Sequence, residues 1–389
     1  MSANVPELRF SGFADPWEQR KLVDIALRQT VVSDDPALPT VEYEDINPGE
    51  GTLNKNLSTK ATHKSGVLFN AGDILYGKLR PYLHNWLHPQ FKGIAVGDFW
   101  VLEPQRIDGR FVYCLIQSGR FSTLADVSAG SKMPRADWKL ISESKFSIPT
   151  NVFEQRAVGA LFFRLDSLIA LHQRKHNQLS VLKGSLLEGM FPKPGSDVPE
   201  LRFSGFADPW EQRKLGELFV ESDDRSSELE ILSVSVRGGI YPASESDRTT
   251  NPGASIANYK VVHPGDIVYN SMRMWQGAVD SSIYRGIVSP AYVVARPMGG
   301  VDSRFFARLL KRPEMLSHYQ RVSQGNSKDT LALKFEQFSQ IDVSMPLFPR
   351  EQMAIGELFD GLDSLIALHQ RKLEKLRALK QSLLQKMFV

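Results

Sequence analysis

The sequence predicts an α+β fold built twice: two tandem globular domains, each followed by one long α-helix, related by a pseudo-twofold internal repeat. Three observations predict it. The eighteen-residue tract VPELRFSGFADPWEQRKL stands at Val5–Leu22 and again, without a mismatch, at Val198–Leu215. The segment LDSLIALHQRK stands at Leu165–Lys175 and again at Leu362–Lys372. Between these anchors the halves diverge but stay in step. AGDILYGKLRPY (Ala71–Tyr82) aligns with PGDIVYNSMRMW (Pro264–Trp275), and GIAVGDFWVLEP (Gly93–Pro104) with GIVSPAYVVARP (Gly286–Pro297). A repeat of this length means one structural plan used twice. The expected divisions are residues 1–150 for the first globular domain, 151–192 for the first helix, 193–346 for the second globular domain with a short linker at 193–198, and 347–389 for the second helix.

Each half opens on the constant tract. Its identity exceeds what folding requires, because a core needs hydrophobic pattern and volume rather than fixed residues at Glu18, Gln19, Arg20 and Lys21. The variable segments follow. GDILYGKL, GIAVGDFWVLEP and YVVARP read as short strands punctuated by Gly and Pro. DGRFVYCLIQSGRF and DSRFFARLLKRPEMLSHYQ read as helices with an apolar face.

The closing helices carry the clearest periodicity. Leu161, Leu165, Leu168, His172, Lys175, Leu179, Leu182 and Leu186 recur in steps of four and three, as do Leu358, Leu362, Leu365, His369, Lys372, Leu376, Leu379 and Leu383. That is a heptad a/d register. A lone helix would expose this seam, so the leucines of one repeat are expected to pack on those of the other. Each helix is about 55 Å long at 1.5 Å per residue. The His–Lys layer lies near the middle of both. It would meet its counterpart in either an antiparallel or a parallel pair, or its side chains could snorkel out of the seam.

Composition narrows the function. A chain of 389 residues has room for two domains with real cores, and 42% hydrophobic with 23% charged residues is ordinary for a globular protein. A net charge of +3 gives no basic tail, although a balanced total can hide a basic face. The single cysteine, Cys114, rules out a disulfide or a CxxC zinc site within the chain. No run of eighteen apolar residues and no leader-like N-terminus is visible, so no membrane partner and a cytoplasmic location are expected. The sequence contains no GxxxxGK(S/T), GxGxxG, HExxH or GxSxG motif, and no Asn/Asp-Pro-Pro-aromatic tetrad. His84 and His88 are four apart but lack a neighbouring carboxylate or cysteine. His172 and His176 are also four apart, but Leu373 stands at the second position in the other repeat. No catalytic residue, metal or cofactor is therefore expected in this chain.

Basic and aromatic residues gather instead in loops at equivalent places. YGKLRPYLHNW supplies Lys78, Arg80 and Tyr82, and its counterpart YNSMRMWQG supplies Asn270, Arg273 and Trp275. Further on, SAGSKMPRADWK carries Ser131, Lys132 and Arg135, and SQGNSKDTLALK carries Asn326 and Lys328. Such loops bring cations and backbone N–H groups to phosphates, and Arg or Asn to base edges. An ordinary solvated loop has the same composition. The recurrence on a duplicated scaffold with altered side chains favours two readers of two different texts.

The tandem PELRFSGFADPWEQRKL tracts, the GDILYGKLRPY segment and the paired LDSLIALHQRK…LKGSLLEGMF and LDSLIALHQRK…LKQSLLQKMF helices together resemble the DNA-specificity subunit of type I restriction–modification enzymes. The resemblance spans essentially the whole chain. It implies that each variable domain is a target recognition domain reading one half of a bipartite, asymmetric site in double-stranded DNA. It implies that the helices form an antiparallel coiled coil and set the unread spacer. Two copies of an adenine-N6 methyltransferase subunit would dock on the helices and adjoining tracts, and motor-nuclease restriction subunits would join them. S-adenosylmethionine, ATP and magnesium would belong to those partners. The alternative is a coiled-coil interaction scaffold whose variable domains bind ligands other than DNA. Identity confined to the tracts is also what exchange of recognition domains by recombination would leave.

Overall fold

The computed structural model describes residues 5–57, 64–128, 133–245, 256–325 and 330–388. The chain forms two compact units, one of residues 1–176 with 368–389 and the other of residues 177–367. Both are mixed α+β. The first long helix, Val152–Gly189, and the second, Pro349–Met387, each contribute to both units.

In the first unit a four-stranded sheet runs in the order Ala26–Gln29, Phe99–Pro104, Ile74–Gly77, Trp86–Leu87. Its two central strands are antiparallel, with Val101 opposite Leu75. Alternation along these strands divides the core, as the period of two requires. Ile74, Tyr76, Trp100 and Leu102 pack with the helices. Leu75, Phe99 and Val101 face a second four-stranded sheet of Val32–Ser33, Gly66–Phe69, Gly93–Ala95 and Thr40–Val41. Because both faces are covered, Ile74–Gly77 is buried throughout and reads as a continuous apolar run.

The second unit repeats the first sheet with Phe219–Glu221, Tyr292–Pro297, Ile267–Asn270 and Val279–Ser281. Val294 stands opposite Val268. The segments expected to be helical are broken. Gly109–Leu115 and Gly119–Ala125 are separate helices, as are Ser303–Leu309 and Pro313–Val322. Ser118 caps the helix that follows it in the first unit, and Pro313 opens a new helix in the second.

The constant tract closes each unit on itself. Glu18–Lys21 pairs antiparallel with Lys145–Ile148, and Glu211–Lys214 with Asp342–Met345. Arg9 makes two bonds, of 2.6 and 2.7 Å, to Glu154 in the first turn of the first long helix, and Arg202 makes two of 2.6 and 2.8 Å to Glu351 at the equivalent turn. The next residues of the repeated Glu-Gln pair hold a different element. Gln155 Oε1 accepts from the Asp108 N–H and Gln352 Oε1 from the Asp302 N–H, the N-caps of the two short helices. Glycine makes this approach available: a Cβ at Gly159 would lie 3.0 Å from the Phe111 nitrogen. The tract also touches the end of the other helix within its own unit, Leu8 N–H donating to Lys386 O and Leu201 N–H to Gly189 O.

The helix seam differs from the expected register. Leu165, Leu179 and Leu186 lie on it in the first helix, and Leu362, Leu376 and Leu383 in the second. Val158 and Ile355 continue this series seven residues upstream of Leu165 and Leu362, and the alternate positions are Phe162 and Ile169, and Phe359 and Leu373, all buried. Leu161 and Leu358 are partly buried at its margin. Leu168, Leu182, Leu365 and Leu379 are 44%, 46%, 45% and 48% exposed. Apolar residues flank both sides of the series that runs through Leu165 and Leu179 in the first helix and Leu362 and Leu376 in the second, and the stripe carrying the aromatic residues is the one that packs on the globular cores.

Within the first unit Asp166 bonds Lys380 at 2.6 Å, and His172 Nδ1 lies 2.8 Å from His369 Nδ1. Burial, then His172, Lys372, Lys175 and His176, lower the His369 pKa below its ordinary 6.5. The unfolded chain therefore takes up this proton first. The stabilisation is present above pH 6.5 and is lost as the pH falls below it. Urea unfolding of the first unit is expected to shift to lower midpoint on acidification from neutral pH, and His369→Gln to flatten the dependence. The effect is modest because the layer is partly solvated.

Candidate nucleic-acid interface

In the first unit the chain leaves the strand Ile74–Gly77 into the Lys78–Asn85 loop. Main-chain bonds fix its base. Lys78 N–H donates to Asp98 O at 2.9 Å, Arg80 N–H to Pro134 O at 2.8 Å, and Ala136 N–H to Lys78 O at 2.9 Å. Tyr43 joins them: its hydroxyl donates to Asp98 O at 2.6 Å and accepts from Leu79 N–H at 3.1 Å. Burial pushes the Tyr43 hydroxyl pKa up, so it remains a donor. Arg80 and His84 take left-handed backbone conformations, at φ 50° and 55°. Such conformations cost about 1–2 kcal/mol each outside glycine. Pro81 is buried between them, and His84 stacks on Trp86. This arrangement turns the Arg80 and Tyr82 side chains outward. Tyr82 is 53% exposed, and the Arg80 side chain has no partner among the described residues.

Charges converge beside the loop. Lys78 Nζ lies 3.5 Å from the Asp98 carboxylate, and Arg135 bonds it at 3.1 Å. Burial alone would raise the Asp98 pKa. Arg135 and then Lys78 outweigh it, and hold the carboxyl below the ordinary carboxylate range. Sequence reasoning missed Tyr43 and Asp98. Neither is basic or lies in the loop segments, and only the sheet brings them there.

The second unit rebuilds the same latch with other side chains. Ser271 N–H donates to Ala291 O at 3.2 Å and Leu333 N–H to Ser271 O at 2.9 Å. Ser271 Oγ also donates to Ala291 O. Asn270 Oδ1 accepts from Met272 N–H, and Arg273 is exposed. Here Gly277, at φ 93°, takes the left-handed turn, and Arg273 is relaxed at φ −125°. Trp275 differs from Tyr82. It packs against the core and its indole N–H donates to Met272 O, which leaves it less available to a ligand. Ser131, Lys132, Asn326 and Lys328 lie outside the described residues.

Among the described residues no group of three or more His, Cys, Asp or Glu is arranged to hold a metal, and no helix is long and apolar enough to cross a membrane. His88 stacks on Tyr113 with Nε2 3.2 Å from Gly72 O, apart from the His84–Trp86 stack. Cys114 is buried, and its thiol pKa is pushed up by that burial.

No protein-family model and no curated protein matches this chain. Solved structures do. A crystal structure of a type I restriction–modification S subunit from M. genitalium is 14% identical, covers 99% of each chain and superposes with a TM-score of 0.60. The chain has the fold of that S subunit. Two further structures are similar at lower scores. A chain from a type I R–M system whose complex assembly and conformational transition were studied is 17% identical over 95% of this chain and 96% of that one, at 0.45. The HsdS subunit from Thermoanaerobacter tengcongensis is 18% identical over 96% of each, at 0.42. The S-subunit fold assignment rests on the first of the three.

Proposed function

We propose that this chain is the noncatalytic DNA-specificity subunit of a type I restriction–modification complex acting in the cytoplasm, each unit reading one half of a bipartite site. The observation that carries this is the pair of loops. One main-chain latch recurs in both units with Arg80 and Arg273 exposed at equivalent places, while the side chains around them differ. A constant latch holds a loop, and changed side chains change what it reads. Exposed arginines suit phosphates and guanine edges. The S-subunit fold supports the same reading.

In this reading the long helices form an antiparallel coiled coil that sets the unread gap. Its support lies within each unit. Asp166 with Lys380 and His172 with His369 run in opposite senses along the two helices, as do Lys183 with Asp363 and Phe191 with Phe359. The leucines left outside the seam, with the identical tracts, offer the same surface twice. Two copies of an adenine-N6 methyltransferase subunit would take them, with motor-nuclease subunits beyond. S-adenosylmethionine, ATP and magnesium would be carried by those partners.

Selection from a random DNA library by the purified complex with its methyltransferase tests this. Two short motifs at a fixed gap are expected. Arg80→Ala should weaken one motif and Arg273→Ala the other, each by about 1–3 kcal/mol. No enrichment, or no effect of either variant, would sink the reading.

A further inference from the structure

Asp98 is an anomaly on a surface meant for DNA, because a carboxylate there repels phosphates. The fold does not require it. The equivalent residue of the second unit is Ala291, whose carbonyl makes the same latch with no side-chain charge. In the first unit the Asp98 carbonyl already accepts from Lys78 N–H and Tyr43 Oη. Its carboxylate is therefore surplus to the scaffold, yet it sits 29% exposed between the cations of Lys78 and Arg135.

An ionised carboxylate can only accept hydrogen bonds, while Lys and Arg can only donate. Lys78, Asp98 and Arg135 thus present a donor–acceptor–donor series. In the major groove the amino groups of cytosine and adenine are the donors a carboxylate can meet. An A·T pair presents the full complement: the adenine N7 acceptor, the N6 amino donor and the thymine O4 acceptor. A G·C pair, with two acceptors followed by one donor, matches less well.

Resting on the DNA-reading function proposed above, we infer that Asp98 is a specificity-determining residue of the first unit, accepting from the exocyclic amino group of one base, of an A·T pair by preference, while Lys78 and Arg135 donate to flanking acceptors. The two ion pairs hold the three groups in place before DNA arrives. The second unit, with Ser271 and Ala291 in place of Lys78 and Asp98, reads its half-site by other groups.

The test uses the full chain assembled with its methyltransferase, with Asp98→Ala and Asp98→Asn, and sequencing of methylated adenines on a random-sequence substrate. Asp98→Ala should cost about tenfold or more in discrimination at one base pair of one half-site. That half-site should be the one changed by Arg80→Ala, and the other should be unaltered. Asp98→Asn, which adds a donor, should alter which base is accepted there. Unchanged motifs, or an equal loss across both half-sites, would overturn the inference and leave Asp98 as a local charge balance. If the unaltered complex shows no bipartite motif, the DNA-reading function itself fails and takes the inference with it. Melting curves of both variants separate misfolding from altered reading, and Ala291 indicates that the latch forms without a carboxylate.

Discussion

Arg9→Ala is expected to destabilise the first unit by about 3–5 kcal/mol, and Arg202→Ala the second by a similar amount. The glutamate side chain is 1% exposed in both clasps, while its arginine is 12% or 10% exposed. Removing the guanidinium leaves a carboxylate out of water with no cation, and breaking a buried pair costs far more than the pair itself contributes. In the first unit Trp17 Nε1, 3.2 Å away, would remain as a partner for Glu154. Arg9 and Arg202 also tie down the tract, donating to Asp15 O and Asp208 O. Calorimetry should show one transition moved by each single variant. Arg9→Met with Glu154→Leu should recover much of the loss, because no buried charge is then stranded. A transition that does not move would show that the clasp is not needed. The clasp accounts for the repeated Arg in the tract, since Asp15 and Asp208 accept only through their main-chain oxygens. It leaves Glu18 unexplained, since Glu18 is exposed and its strand pairs through its main chain, whereas Gln19 donates from its side-chain amide to Ser147 Oγ on the paired strand.

Leu165→Ala is expected to cost about 2–5 kcal/mol, and Leu168→Ala less than about 0.5 kcal/mol. The two leucines are three residues apart in one repeated segment, yet Leu165 is 6% exposed and Leu168 is 44% exposed. Leu362 and Leu365 should behave the same way in the second helix, at 6% and 45%. Chemical unfolding of the four variants reads the register directly. Equal losses at Leu165 and Leu168 would contradict the seam described here.

This contrast shows where sequence reasoning reached its limit. The duplication, the strands around GDILY and GDIVY, and the two long helices were legible, because each rests on local period and on a repeat that needs no tertiary knowledge. The register was legible only by half. Each helix carries apolar residues on both sides of the series through Leu165 or Leu362, and counting leucines passed over Phe162, Ile169, Phe359 and Leu373. Burial of those residues is decided by the domain cores the helices also face, which a heptad count cannot see. The candidate site divided in the same way. Arg80 and Arg273 followed from aligning the repeats, while Asp98 and Tyr43 acquire meaning only when the sheet brings them to Lys78 and Leu79.

The most direct measurement is sequencing of methylated adenines in host DNA with and without this gene, its methyltransferase partner being expressed in both. The account predicts that one bipartite motif, two short half-sites around a fixed gap, is methylated with the gene and unmethylated without it. A methylome that is the same in both strains would contradict the assignment of base reading to the two units.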